Sequence, residues 1–212
     1  MKKFTFLFAI LLGMVFSSVA QPKIGVRAGY NLTNTIAISP EGHTSESKSA
    51  ANFGIVTDFR FSKNFVLRPG LYYSMKGYKN EGWEVKTLQY NLNYLEMPLL
   101  AVFQIPLNDK ISIEFQTGLY FAYGVNGKSE FERLDFSSSD IDKNTIIEKQ
   151  PTFKDNNLEF ERFDCGINVG FGLNIHNFYI GISDEVGLKN ITPTHYYKYH
   201  HNCFSVNLGY NF

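Results

Sequence analysis

The stretch Phe204-Ser205-Val206-Asn207-Leu208-Gly209-Tyr210-Asn211-Phe212 closes the chain in strict alternation. Successive strand residues point to opposite faces, so Phe204, Val206, Leu208, Tyr210 and Phe212 share one face. Ser205, Asn207, Gly209 and Asn211 share the other. One face suits hydrocarbon and the other a polar interior, the pattern of a strand standing between lipid and a lumen.

The pattern recurs upstream. Phe163, Cys165, Ile167, Val169, Phe171, Leu173 and Ile175 alternate with Arg162, Asp164, Gly166, Asn168, Gly170, Gly172 and Asn174. His176-Asn177 then reads as a two-residue turn into Phe178, Ile180, Ile182, Val186 and Leu188. Nearer the amino end, Ile24, Val26, Ala28, Tyr30 and Leu32 alternate with Gly25, Arg27, Gly29 and Asn31. Phe53 to Phe61 form a second strand, with Asp58 and Arg60 on its polar face, and Phe65 to Met75 a third, with Arg68 and Lys76 on its polar face. The fourth runs Leu95, Met97, Leu99, Ala101, Phe103 with Glu96 and Gln104 opposed, and the fifth runs Ile111 to Tyr123 with Glu114 and Gln116 opposed. Counting the terminal strand, the alternation predicts eight strands.

Their connections alternate in length: short after strands two, four and six, long at residues 33–50, 77–87, 126–159 and 189–202. An even strand number with tight turns at one end and long loops at the other is the signature of a transmembrane barrel. A soluble lipocalin-like barrel would fill its interior with apolar side chains and turn polar ones outward. Here the charges share a face with glycines, and the other face is an apolar band. Phe59, Phe61, Phe65, Phe103, Phe171, Phe178, Tyr210 and Phe212 fall near one rim, and Tyr30, Phe53, Tyr73, Tyr123, Phe163 and Phe204 near the other. These are two aromatic girdles. The expected fold is all-β: an eight-stranded antiparallel up-and-down transmembrane β-barrel with short periplasmic turns and long extracellular loops.

The amino end agrees. Lys2 and Lys3 precede the apolar residues 4–15, and Ser18-Val19-Ala20 offers a cleavage site, so residues 1–20 read as a secretory signal and residues 21–212 as one barrel domain. The apolar run is short for a membrane helix, and Gln21 rather than cysteine follows the cut, against a lipoprotein. Net charge is zero for the full chain and slightly acidic without Lys2 and Lys3, so no basic field exists to gather nucleic acid or anionic lipid. Aromatic residues are 16% of the chain, yet no later stretch is long and apolar enough for a spanning helix. Strands must cross. Cys165 and Cys203 fall on strands separated by a third and face opposite ways, a poor geometry for a disulfide.

Two stretches carry a resemblance. Leu67-Arg68-Pro69-Gly70-Leu71-Tyr72-Tyr73-Ser74 and Asn93-Tyr94-Leu95-Glu96-Met97-Pro98-Leu99-Leu100 resemble the paired third and fourth strands of PorT-like, porin-family outer-membrane barrels. The Gly25-to-Tyr30 first strand and Gly187-Leu188-Lys189-Asn190-Ile191 extend that resemblance over most of the mature chain. It implies location in the bacterial outer membrane and, faintly, a part in secretion or envelope biogenesis. The aromatic end Phe204, Val206, Leu208, Tyr210, Phe212 also resembles the signal read by bacterial barrel-assembly machinery.

The candidate site is the lumen. Arg27, Asp58, Arg60, Arg68, Lys76, Glu96, Glu114, Arg162, Asp164 and Glu185 hold both signs in similar number and can pair internally, and eight strands make a barrel just wide enough to be filled by side chains. Arg68 and Glu96 are the expected partners. The structural reading is an ion-pair plug; the functional one is a narrow ion or proton path. Pro98 lacks a ladder amide, and Tyr90, Leu92 and Tyr94 alternate out of phase with Leu95 and Met97, so a bulge or ladder break is expected there. Asp184 sits on the apolar parity, pointing either to a bulge that turns it inward or to a partner surface outside. His195 to His201 could offer imidazoles, but their spacing matches no closed zinc site. A lipid-hydrolase serine, histidine and acid at matching depth are not visible. Residues 126–159, with Phe131, Leu134, Phe136, Ile146 and Ile147 among charges, could form an extra hairpin above the membrane, dock a partner, or stay unstructured. The sequence thus points to no catalytic residue, metal or cofactor. Its expected partners are outer-membrane lipid, the barrel-assembly machinery and other envelope proteins met through residues 126–159. A structural or interaction role comes first, with a passive channel or a hydrolase as alternatives.

Overall fold

Alternating strands leave the end strands of an open sheet with unpaired amides, which hydrocarbon cannot solvate, so the sheet must close. The computed structural model describes residues 22–38, 45–80, 85–134, 145–154, 157–158, 160–192 and 198–212. The signal segment, Phe136 and His195 lie outside the described residues. The strands are β1 (Lys23–Ile38), β2 (Lys48–Arg60), β3 (Phe65–Asn80), β4 (Val85–Pro106), β5 (Ile111–Leu134), β6 (Thr145–Pro151), β7 (Phe153–Lys154), β8 (Asn157–Leu158), β9 (Phe163–Ile175), β10 (Phe178–Gly187) and β11 (Lys198–Asn211). Eight of them close a ring, β1-β2-β3-β4-β5-β9-β10-β11, each antiparallel to its neighbours. The seam joins β1 to β11 from Gly25 opposite Asn211 up to Ile38 opposite Lys198.

The faces fall as the alternation predicts. Ile24, Val26, Ile55, Leu99, Ile167, Ile182 and Leu208 are exposed, while Arg27, Asn31, Asp58, Arg68, Lys76 and Glu114 are buried. The aromatic rims are built: Phe178, Tyr210 and Phe212 stack edge-on at 5.3 and 5.2 Å at the short-turn end, and Phe53 lies 5.3 Å from Tyr73 at the other. The turn at His176-Asn177 sets His176 at φ 56°, as a two-residue hairpin turn requires. Both cysteines are free, Cys203 buried on β11 and Cys165 on β9, with β10 between them.

Two prolines open the ladder. Pairing of β3 with β4 lapses between Pro69–Leu99 and Tyr72–Glu96, the span containing Pro98, and pairing of β2 with β3 lapses between Val56–Gly70 and Phe59–Leu67, the span containing Pro69. The predicted break at Pro98 is therefore present, but the phase change is not. Tyr90, Leu92, Tyr94 and Glu96 all face inward along one unbroken alternation of β4. The bulge sits across the ladder on β5, where Asn93 faces Asn126 and Tyr94 faces Gly124, leaving Val125 as the extra residue. Asp184 likewise stays on the outer face with no bulge in β10. Asn202 of β11 donates to both of its carboxylate oxygens, at 3.2 and 3.4 Å, which satisfies it without turning it inward.

β4 has 22 residues and β5 has 24, far more than the 9 to 11 or so that cross a bilayer. Their excess projects beyond the long-loop rim. There β6 pairs with β5 from Lys128–Pro151 to Leu134–Thr145, so of the alternatives open for residues 126–159 the extra hairpin is present.

Candidate functional site

Inward side chains stack in successive layers along the lumen. At the short-turn end, Arg60 donates to Gln104 (2.6 Å) and to the Lys63 carbonyl (3.1 Å), and no carboxylate lies within salt-bridge distance among the described residues. Its expected place in the ion-pair network is corrected: the strand ends at Arg60, so the side chain rests on the mouth.

Above it lies Arg68. Its guanidinium grips Asp58 through Nε (2.6 Å) and Nη2 (3.0 Å), and Glu114 through Nη1 (2.5 Å) and Nη2 (3.1 Å). Gln104 (3.1 Å) and Asn174 (2.8 Å) donate to the remaining lone pairs of Glu114. Arg27 joins through its stack on the Tyr179 ring (4.3 Å) and a hydrogen bond to Asn211 (2.7 Å) rather than through a carboxylate. Forked donors on two carboxylates satisfy charges that burial would otherwise penalise heavily.

The expected Arg68–Glu96 pair does not form. The register of β3 on β4 sets Arg68 opposite Leu100 and Glu96 opposite Tyr72, four residues away along β3. Glu96 instead meets Lys76 at 2.7 Å, and Glu185 meets the same ammonium at 2.9 Å. Lys76 also sits 4.3 Å from the Tyr120 ring, while Tyr120 donates to Asp164 (3.1 Å) and Asn168 donates to Glu185 (3.0 Å). Between the Arg68 and Lys76 layers a cavity of about 40 Å³, lined by Arg27, Tyr72, Glu96 and Glu185 among others, has room for little more than a water molecule.

The long-loop end is closed by apolar groups. Tyr78, Tyr90, Leu92, Tyr94 and Tyr120 from the strands meet Phe153, Phe160 and Ile191 from the loops in one buried cluster. Tyr90 meets Phe160 edge-on at 4.9 Å, and Tyr94 meets Phe153 edge-on at 5.9 Å. Arg162, expected in the lumen network, lies here instead. It donates to the Gly124 carbonyl (3.0 Å) and to the Phe153 carbonyl, because it precedes β9 and stands above the ion-pair layers. His201 is buried under the cap, its Nε2 3.1 Å from the Tyr94 hydroxyl. The sequence does not single out Tyr78 and Tyr120, although Tyr120 occupies the inward parity of its strand; it marks Tyr90 and Tyr94 only as a phase change, and His201, read as one of the loop imidazoles, instead lies on β11.

The lumen is thus a blind cup: open at the short turns, crossed by two ion-pair layers, and stoppered at the long-loop end. Its outward C-terminal face, from Phe204 (39% exposed) through Val206, Leu208 and Tyr210 to Phe212 (69% exposed), is presented to lipid.

Comparison with solved structures finds Ail, the attachment invasion locus protein of Yersinia pestis, at 14% identity and TM-score 0.44, covering 91% of this chain and 100% of that one. It also finds Neisserial surface protein A at 10% identity and TM-score 0.47, covering 91% and 100%. OprG from Pseudomonas aeruginosa matches at 10% and TM-score 0.48, covering 92% and 97%. No curated protein matches by sequence. Residues 19–193 match the family model described as the outer membrane protein beta-barrel domain. The chain belongs to that family and is a β-barrel protein of the bacterial outer membrane.

Proposed function

We propose that this barrel has a non-enzymatic structural or interaction role in the cell envelope, presenting the β4–β5–β6 sheet to other envelope components. The single observation that carries the reading is the doubly sealed lumen: Arg68 and Lys76 with their carboxylates fill the bore, and the apolar cluster around Phe153 and Phe160 closes its outer end. A barrel so filled is a scaffold, and rigid scaffolds commonly act through the loops they hold. β6 pairs only with β5 among the described residues, so its other edge offers unpaired backbone groups to a partner. The PorT-like resemblance favours partners in secretion or envelope biogenesis, after export by the signal segment and cleavage before Gln21.

Planar-bilayer recording tests the sealed lumen. Purified barrel is expected to give no steady conductance steps, and reproducible ion-sized steps would favour the passive channel. Crosslinking in intact membranes tests the interaction role: wild type should capture a defined envelope partner that is lost when residues 128–151 are replaced by a short turn.

A further inference from the structure

We propose that the open, short-turn end of the barrel is a binding site for a small multivalent anion of the phosphate or carboxylate class, held by Lys23, Arg60, Lys63 and Lys110. These four cations line one cavity of about 360 Å³ at the mouth. Among the described residues none of the four has a carboxylate within 4 Å. Asp58 also reaches the cavity, but at the floor Asp58 and Glu114 are balanced by Arg68, which grips both, and by the neighbouring Arg27. Asp109 and the terminal carboxylate of Phe212 remain as the opposing charges, so the mouth keeps an excess of positive charge. Asn108 and Asn177 add amide groups to the same wall.

The surroundings strengthen that excess. The cup is ringed by lipid, and a cleft with low-dielectric walls focuses the field of its charges on the opening. The Arg68 layer closes the floor, so a ligand enters and leaves only through the short-turn side, which faces the periplasm in barrels of this kind. At the opposite end, Lys149 and Lys189 are each engaged by a glutamate at 3.1 Å. The anion has two available sources: a lipid phosphate headgroup at the inner rim, or a soluble periplasmic anion.

The test is isothermal titration of inorganic pyrophosphate into the mature protein in phosphatidylcholine nanodiscs at low salt. Saturable one-to-one binding is expected. Lys63→Gln with Lys110→Gln should weaken it about tenfold or more, and Asp109→Asn, which removes a repelling charge, should tighten it. The tightening is a readout that a damaged fold would not produce. Lys149→Gln with Lys189→Gln, at the far end, should leave affinity unchanged. Repeating the titration in discs containing phosphatidylglycerol separates the sources, since headgroup occupancy lowers the apparent affinity and a soluble ligand's site does not change. Absence of saturable binding in phosphatidylcholine, or equal affinity in wild type, the double lysine variant and Asp109→Asn, overturns the proposal.

Discussion

Replacing Arg68 by alanine removes the cation that two carboxylates in the bore share. Arg68 is 2% exposed and makes four charge-assisted hydrogen bonds of 2.5 to 3.1 Å to Asp58 and Glu114. Arg68→Ala would leave two buried carboxylates with no cation between them, and breaking a buried pair in this way costs about 3–5 kcal/mol. Asp58 is 9% exposed at the floor of an open mouth, where water can reach it, so the lower end applies. A loss of about 3 kcal/mol is roughly a hundredfold in the folding equilibrium. Urea unfolding of the vesicle-inserted barrel, followed by tryptophan fluorescence and by heat-modified gel mobility, measures it. Combining Arg68→Met with Asp58→Asn and Glu114→Gln should recover most of the loss, because an uncharged layer has no ion to strand. A single variant within about 1 kcal/mol of wild type, or a triple variant no better than the single, would refute the argument that pairing, rather than bulk, holds this layer.

Other perturbations separate the cap from the rest of the barrel. A Cβ added at Gly124 would lie 2.5 Å from the Phe153 ring, so Gly124→Leu should expel that ring and expose the loop at residues 151–154 to proteases while the barrel keeps its heat-modified mobility. Unchanged cleavage would mean that Phe153 does not need this seat. Lys48 lies above the upper girdle, its ammonium donating to the Tyr90 carbonyl (3.2 Å) and to Asn91. Burial pushes its pKa down to about 8 from an ordinary 10.5, so between these values the unfolded chain holds a proton that the folded one has released. Stability from this group therefore rises with pH across that window. The urea midpoint of wild type should climb between pH 8 and 10.5 relative to Lys48→Met, and parallel profiles would count against the shift.

Much of the barrel was legible because lipid enforces a period of two. Strand number, facing, the short and long connections and both girdles follow from parity alone. What was not legible depends on register and on depth. Arg68 and Glu96 sit in neighbouring strands, but only the alignment of β3 on β4 tells that Leu100 and Tyr72 are their respective opposites. Tyr90, Leu92 and Tyr94 look out of phase if every inward residue must be polar. That premise fails beyond the membrane, where the lumen is filled by an apolar cap and inward aromatics are the normal contents of a core. Asp184 is a similar case: its partner, Asn202, belongs to the next strand and comes within reach only through the β10–β11 register.

The bulge on β5 links the stopper to the outer sheet. Val125 adds one residue to the strand, so Val125 and Asn126 both face out, and Gly124 and Gly127 both face in on either side of them. Phe153 occupies the space those two glycines leave, since a Cβ at Gly127 would also approach its ring, at 3.1 Å. The Thr152 amide donates to the Gly127 carbonyl at 3.1 Å, and Ser129 donates to the Gln150 carbonyl at 3.3 Å, so the chain leaving β6 is tied to β5 directly above the ring. The same few residues therefore end the lumen and begin the projecting sheet. The Thr152–Gly127 bond, at the end of the β5–β6 ladder nearest the barrel, lies next to the Phe153 ring and joins the sheet to the stopper.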